Sequence, residues 1–309
     1  MACFQPLKGW RSKALAASGK RPIVFNRSQG FVDQPVELPC GQCIGCRLER
    51  SRQWAMRCVH EASLHEDNIF VTLTYDNEHL PEHNSLYYRD FQLFMKRLLV
   101  HTERHTNRPL GVRFYMCGEY GETFARPHYH AIMFNYDLED KKLWRMDRGN
   151  PLYTSETLQE LWGKGYCSIG GVTFQSAAYV ARYIMKKVTG DAADAHYNTI
   201  DPETGEILAE RRPEFTNMSR RPGIGARWFE KYQSDVFPDD FVVLNGKKVA
   251  PPRFYTSRYE LLYPDEVARL KAARKKKAAA RAHHSTPDRL KVREKVLQSR
   301  VNLLKRTIE

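Results

Sequence analysis

Between residues 69 and 134 the hydrophobic period of the chain changes from that of a strand to that of a helix and back. Residues 69–75, IFVTLTY, are β-branched, aromatic or leucine throughout, the composition of a buried strand. From about Tyr88 to His105, the residues Phe91, Phe94, Met95, Leu98 and Leu99 recur at helical spacing and predict a core-facing stripe. VRFYMCGE (112–119) and HYHAIMF (128–134) then read as two strands joined by the polar loop YGETFARP. A short helix from about Ser155 to Trp162 leads through Gly163 and Gly165 to a strand near 166–174. A last helix is expected over 176–189, with Ser176 as its N-cap, Lys186 and Lys187 in its last turn and Gly190 as its stop. The resulting order, β-α-β-β-α-β-α, predicts an α+β fold. Its core is an antiparallel sheet of ferredoxin-like or RRM-like βαββαβ type, with helices on one face.

The flanking segments carry weaker patterns. Residues 1–39 read as an arm with short extended pieces, and residues 40–65 as a Cys-rich turn running into a helix with Trp54, Cys58 and Glu61 along it. The α+β core is expected over 66–190. Residues 190–218 read as a polar insertion, and SRRPGIGARWFEKY with PPRFYTSRYE, within 219–260, interleave basic and aromatic residues; together, 191–264 form an insertion and basic/aromatic contact region. A basic helical tail over 265–309 is expected as two helices broken near HHSTPD (283–288).

The charge is concentrated. Against a formal net charge of +13, residues 268–282 alone hold seven Lys or Arg and no acid. Such a run is either a solvated helix face or a contact to phosphates, whose neutralisation releases counterions. No apolar run approaches the ~20 residues that span a bilayer, and the first twenty residues hold no continuous apolar stretch of secretory type. Seven cysteines, three of them packed as Cys40, Cys43 and Cys46, argue for metal or free thiols before disulfides. The chain therefore reads as a soluble, intracellular, basic protein.

Three constellations carry possible chemistry. On a strand, His128 and His130 point to one face while Tyr129 faces away. Two imidazoles suit a divalent metal, and Glu119, at the end of the preceding strand, or Glu122 in the loop is placed to complete the set. The bland alternative is a pair of surface histidines. In the helix YVARYIMKK, Tyr179 and Tyr183 share a face and Lys186 lies near the same stripe. Read blandly, these tyrosines half-bury their rings on an amphipathic helix. Cys40, Cys43 and Cys46, with Cys58 eleven residues beyond, offer four thiolates for a structural Zn²⁺, though the spacing departs from the two-knuckle CxxC…CxxC pattern. The alternative is a tight turn with free thiols. Cys3, Cys117 and Cys167 read as ordinary buried residues.

Taken together, RPHYHAIMF resembles the histidine motif of the HUH single-strand endonucleases, YVARYIMKK their two-tyrosine motif, and FVTLTYD the strand motif that precedes both. With PCGQCIGCR and FYMCGEYG, the chain is similar to the replication initiators of small single-stranded DNA phages of the microvirus, or gokushovirus, type. The resemblance runs from about 39 to 190 in one motif order and departs from the pattern at Tyr129, where an aliphatic residue is usual. It implies an HUH nicking core at 66–190. Mg²⁺ or Mn²⁺ would be held by His128, His130 and Glu119. Tyr179 or Tyr183 would attack a phosphate to leave a 5′-phosphotyrosine and a free 3′-OH, with Lys186 lowering the phenol pKa or orienting the phosphate. It implies rolling-circle replication at origin or single-stranded DNA, in the cytoplasm of a bacterial host. The sequence holds no GxxxxGK[ST], so unwinding is expected from a host helicase and replication machinery. Two rivals remain at this stage: a non-enzymatic single-stranded nucleic-acid binder on an RRM-like sheet, and a metal nuclease that uses water.

Overall fold

The computed structural model describes residues 3–105, 111–121, 123–147, 149–182, 187–188, 190, 192–201 and 203–303. Strands β1 (Leu7–Ser12), β2 (Ile23–Val24) and β3 (Gly30–Leu38) precede α1 (Ile44–Ala62). Then come β4 (Asn68–Thr74), α2 (Tyr88–His105), β5 (Arg113–Tyr120), β6 (Pro127–Phe134), β7 (Lys142–Asp147), β8 (Asn150–Thr154), α3 (Glu156–Trp162), β9 (Cys167–Gly171) and α4 (Phe174–Arg182). Beyond these lie α5 (Ala192–Tyr197), β10 (Asn198–Ile200), β11 (Ile207–Glu210), β12 (Phe215–Met218), α6 (Ala226–Val236), β13 (Val242–Leu244), β14 (Lys247–Val249) and α7 (Arg253–Leu262). The chain ends in α8 (Pro264–Ala279) and α9 (Pro287–Asn302). Ser51–Pro264 makes one compact unit; Met1–Arg50 and Asp265–Glu309 make a second.

The larger unit is built on a seven-stranded sheet of order β12-β5-β6-β4-β9-β8-β7 in which every paired neighbour is antiparallel. The α+β expectation and the antiparallel sheet therefore hold. Strand alternation sorts the side chains into two cores. Ile69, Val71, Leu73, Met116, Tyr129, Ala131 and Met133 point to one face, where Phe91, Phe94 and Leu98 of α2 and Leu158 and Trp162 of α3 cover them. Leu99 does not share the stripe and is 39% exposed, because eight residues at 3.6 per turn carry it well round from Phe91.

The other face is not open, which corrects the expectation of helices on one side only. Phe70, Tyr115, Cys117, Ile132 and Phe134 pack there against Ala55 and Cys58 of α1 and against Ala177, Val180 and Ala181 of α4. Helix α4 starts at Phe174 rather than 176, so Ser176 is not its N-cap. Thr173 takes that place: the Ser176 N–H donates to Thr173 Oγ1 (3.1 Å) and the Thr173 N–H donates to Ser176 Oγ (2.8 Å), a reciprocal cap. The outer hairpin β7–β8 has no counterpart in the sequence reading, because β7 is exposed and shows no alternation of burial. Residues 215–218 are not insertion but strand β12, paired to β5 from Phe215↔Gly118 to Met218↔Tyr115. Nor are the aromatics of 219–260 an open platform. Phe229 stacks on Tyr255 (ring centroids 5.1 Å) and Phe237 on Tyr259 (4.3 Å), and all four are buried.

One ion pair ties three parts of this unit together. Glu61 on α1 is fully buried, meets Arg113 Nε of β5 at 2.9 Å, and accepts the Gly225 N–H just before α6 at 2.6 Å. Gly225 has φ +77, and a Cβ there would stand 2.7 Å from the Tyr255 hydroxyl, so the RPGIGARW turn needs glycine at this point.

Burial alone would raise the Glu61 carboxyl, but His65, the Gly225 N–H and Arg113 hold its pKa below the ordinary value. Its stabilisation is thus complete above the usual carboxylate range and is lost as pH falls through the lowered value. Glu61→Ala, which leaves the guanidinium buried without its partner, is expected to cost about 3–5 kcal/mol in denaturant unfolding. Glu61→Gln should flatten the acid limb of stability against pH; an acid limb identical to that of the parent would refute this account.

Candidate metal centre

The β5–β6 register sets Glu119 opposite His128 and Cys117 opposite His130. Glu119 therefore sits beside both imidazoles on one face. Alternation turns Tyr129 the other way, into the α2 core, where its hydroxyl donates to the Tyr87 carbonyl (2.8 Å) and lies 3.1 Å from the Tyr75 hydroxyl. Glu119 Oε1 is 2.8 Å from His128 Nε2 and 2.9 Å from His130 Nε2, and the three residues are 1%, 8% and 3% exposed. The far ring nitrogens are also held: His128 Nδ1 lies 3.1 Å from the Arg126 carbonyl and His130 Nδ1 lies 2.9 Å from Thr72 Oγ1.

This geometry tests the fit to a metal. The Arg126 carbonyl can only accept, so His128 Nδ1 carries a proton, and Nε2 then faces a carboxylate oxygen that also only accepts. Either His128 is an imidazolium, or a neutral ring directs its Nε2 lone pair at a cation shared with Glu119. The second arrangement matches the outer hydrogen bond found behind metal-bound histidines. The carboxylate and the two imidazole nitrogens lie within 4.8 Å of one another, a nitrogen-and-oxygen donor set that suits a divalent cation. Burial would raise the Glu119 carboxyl, yet the two histidines override it and hold its pKa at about 2, so the anion is kept throughout the working pH range.

Helix α4 brings Tyr179 to the same place. Its ring stands edge-on to His130, with centroids 5.2 Å apart at 80°, and Phe70 packs beside both. Of the expected site, Glu119, His128, His130 and Tyr179 are thus together, while Tyr183, Lys186 and Glu122 lie outside the described residues. Thr72, Phe70 and the Arg126 carbonyl are additions. The sequence signal for Thr72 is a polar residue on alternate positions of FVTLT, but only the pairing Thr72↔His130 shows what it is for. The cysteine set needs correction. Cys58 is a fully buried core residue among Ala55, Tyr115 and Cys117, whereas Cys3 joins Cys40, Cys43 and Cys46. Cys58 lies about three helical turns beyond Cys46 along α1, and no sequence spacing announces a partner as distant as Cys3.

Titration calorimetry with Mn²⁺ should detect binding that His128→Ala plus His130→Ala abolishes. Thr72→Val keeps the shape but removes the hydrogen bond behind His130, and is expected to weaken Mn²⁺ binding about 10–100-fold. Unchanged affinity in Thr72→Val would mean that His130 is not a ligand held in this way.

The family model for replication-associated proteins of the ORF2 type matches residues 68–188, which span β4 to the end of α4. The chain is 38% identical over 273 residues to the replication-associated protein VP4 of Bdellovibrio phage phiMH2K, covering 86% of this chain and 79% of that protein. It is 30% identical over 289 residues to the replication-associated protein ORF2 of Spiroplasma virus 4, covering 86% and 82%. To the replication-associated protein ORF4 of Chlamydia phage 1 it is 32% identical over 224 residues, 71% of this chain and 52% of the other. No solved structure matches the chain. With matches of this identity running over most of both chains, the protein belongs to the family of phage replication-associated proteins, the initiators of rolling-circle replication.

Proposed function

We propose that this protein is a metal-dependent single-strand DNA endonuclease and strand transferase of the HUH type, which nicks and rejoins origin DNA to start rolling-circle replication. The observation that carries the reading is the buried Glu119–His128–His130 set with Tyr179 edge-on to one of its imidazoles. The strand order β9-β4-β6-β5, with α2 and α3 on one face, supports a ferredoxin-like core for it.

A divalent cation, Mg²⁺ or Mn²⁺, would supply Lewis-acid polarisation of the scissile phosphate. The chain's own groups do the rest. The Arg126 carbonyl and Thr72 orient the two imidazoles, and the core around Tyr129 keeps strand β6 from turning. Tyr179 attacks phosphorus in line, forming the phosphotyrosine bond as the P–O3′ bond breaks and the 3′-OH leaves. A free phenol with a pKa near 10 is a weak nucleophile, so a cation such as Lys186 at the helix end serves to lower it. Return attack by a 3′-OH restores the tyrosine, so rejoining needs no ATP. Tyr183, one turn on, is the second nucleophile, which allows a second cut while the first tyrosine still holds DNA.

The alternative of an RRM-type binder loses ground, because that mode of recognition needs an open sheet face and here α1 and α4 cover it. The basic run lies mostly on α8, whose one buried side chain is Val267, leaving the cations to reach a phosphate backbone. Among the described residues no helix is long and apolar enough to cross a membrane. The proposed setting is the host cytoplasm, with a host helicase separating the strands.

A labelled single-stranded origin oligonucleotide with Mn²⁺ should give a covalent protein–DNA band on a denaturing gel. Tyr179→Phe and Tyr183→Phe should each retain some adduct, and the double variant none. Nicking without any adduct would replace this reading with a nuclease that uses water.

Replacing the seven Lys and Arg of 268–282 by Gln should make the plot of log affinity against log salt shallower by up to about 5, uniformly across sequences. An unchanged slope would assign the run to a solvated face.

A further inference from the structure

We propose that Cys3, Cys40, Cys43 and Cys46 form a four-thiolate site for one structural Zn²⁺. All four Sγ atoms lie within 4.8 Å of one another, and Cys3 Sγ is 3.7 Å from Cys40 Sγ. Four sulfurs at ~2.3 Å from a tetrahedral zinc stand ~3.8 Å apart, so the cluster already has nearly the size the ion needs. The same distance is far beyond the ~2.05 Å of a disulfide, and all four cysteines are free thiols.

The local backbone is shaped for this. Gly41, at φ +78, turns the chain so that Cys40 and Cys43 face the same point, and Cys46 follows on the first turn of α1. Backbone N–H groups converge on the sulfurs, each at 3.3 Å: Cys40 onto Cys3 Sγ, Cys43 onto Cys40 Sγ, and Phe4 onto Cys43 Sγ. Such donors stabilise thiolates rather than thiols. Burial opposes ionisation of Cys40, but the Cys43 and Gln42 N–H groups outweigh it and bring that thiol down to about 7. Loading is ligand exchange without redox: four S–Zn bonds form and the thiol protons pass to solvent.

The second, independent argument is the core of this unit. Among its described residues, the buried apolar side chains other than Cys3 and Cys43 are Phe4, Val267 and Leu290. That is too little apolar surface to order a unit made of Met1–Arg50 and Asp265–Glu309. The thiols sit where a core would be, with Phe4, Ile44, Leu290 and Leu297 packed around them. Zinc binding there is folding energy for the segment that joins residue 3 to the turn at 40–46.

The test is independent of the nuclease reading and uses the full-length protein. Elemental analysis of the His128→Ala plus His130→Ala variant, which removes the other metal centre, should find about one zinc per chain, and Co²⁺ loaded in its place should show intense thiolate-to-cobalt charge transfer. Cys40→Ser plus Cys43→Ser should lose the zinc. Cys3→Ser should lose about a quarter of the charge-transfer intensity, and Cys58→Ser should leave zinc content and spectrum unchanged. In the unmutated chain, alkylation mapped by mass spectrometry should show Cys3, Cys40, Cys43 and Cys46 protected until a strong chelator is added, a readout that survives any folding failure of the variants. Absence of zinc, iron in its place, a Cys3→Ser spectrum identical to that of the parent, or loss of zinc in a folded Cys58→Ser variant would each overturn the proposal.

Discussion

The β5–β6 register is pinned from both sides of the sheet at once. On the α2 side, Tyr129 is locked by hydrogen bonds to the Tyr87 backbone and to Tyr75, inside a core that includes Phe91 and Trp162. On the opposite side the same pairing lays His128 and His130 against Glu119. A one-residue slip would drive both imidazoles into that aromatic core and turn the tyrosine toward the site, so the packing of one face specifies the chemistry of the other. The departure from an aliphatic residue at 129 has a physical basis here. A tyrosine is tolerated because its hydroxyl finds partners at the edge of α2.

The covered second face follows from what the site requires. A carboxylate kept ionised while 1% exposed needs the two histidines beside it, and these in turn need the Arg126 carbonyl and Thr72 behind them. Helix α4, seated on the same face by Ala177, Val180 and Ala181, carries Tyr179 to His130 without depending on a loop. Sites built on regular elements hold their geometry more closely than sites built on loops. Helix α1 closes the rest of that face, and the buried Glu61–Arg113 pair with the Gly225 turn fixes it to β5. That pair adds specificity of placement at the cost of desolvating two charges.

Much of the central architecture was legible because it is local. The stripe Phe91, Phe94, Met95, Leu98 lies on a helix, Ser155 caps α3 and Gly163 ends it, and HYHAIMF alternates as a strand must. The elements that escaped the sequence are those whose order comes from distant partners. Strand β12 has four residues, too few to show a period, and exists because β5 offers it an edge. The β7–β8 hairpin is exposed and has no apolar alternation to announce it. The aromatics of 219–260 look like a binding surface in one dimension and prove to be packing, because stacking on another protein ring and stacking on a base demand the same residue types.

By itself, then, the sequence determined which residue types share a face: the i, i+2 histidines, the tyrosine on its helix, the glutamate at a strand end. These are properties of backbone periodicity, which a few consecutive residues define. Tertiary structure alone decided that Thr72 stands behind His130, that Cys3 and not Cys58 completes the thiol cluster, and that helices close both faces of the sheet. Each of these joins residues whose separation along the chain carries no periodic signal, and is settled by which surfaces must leave water together.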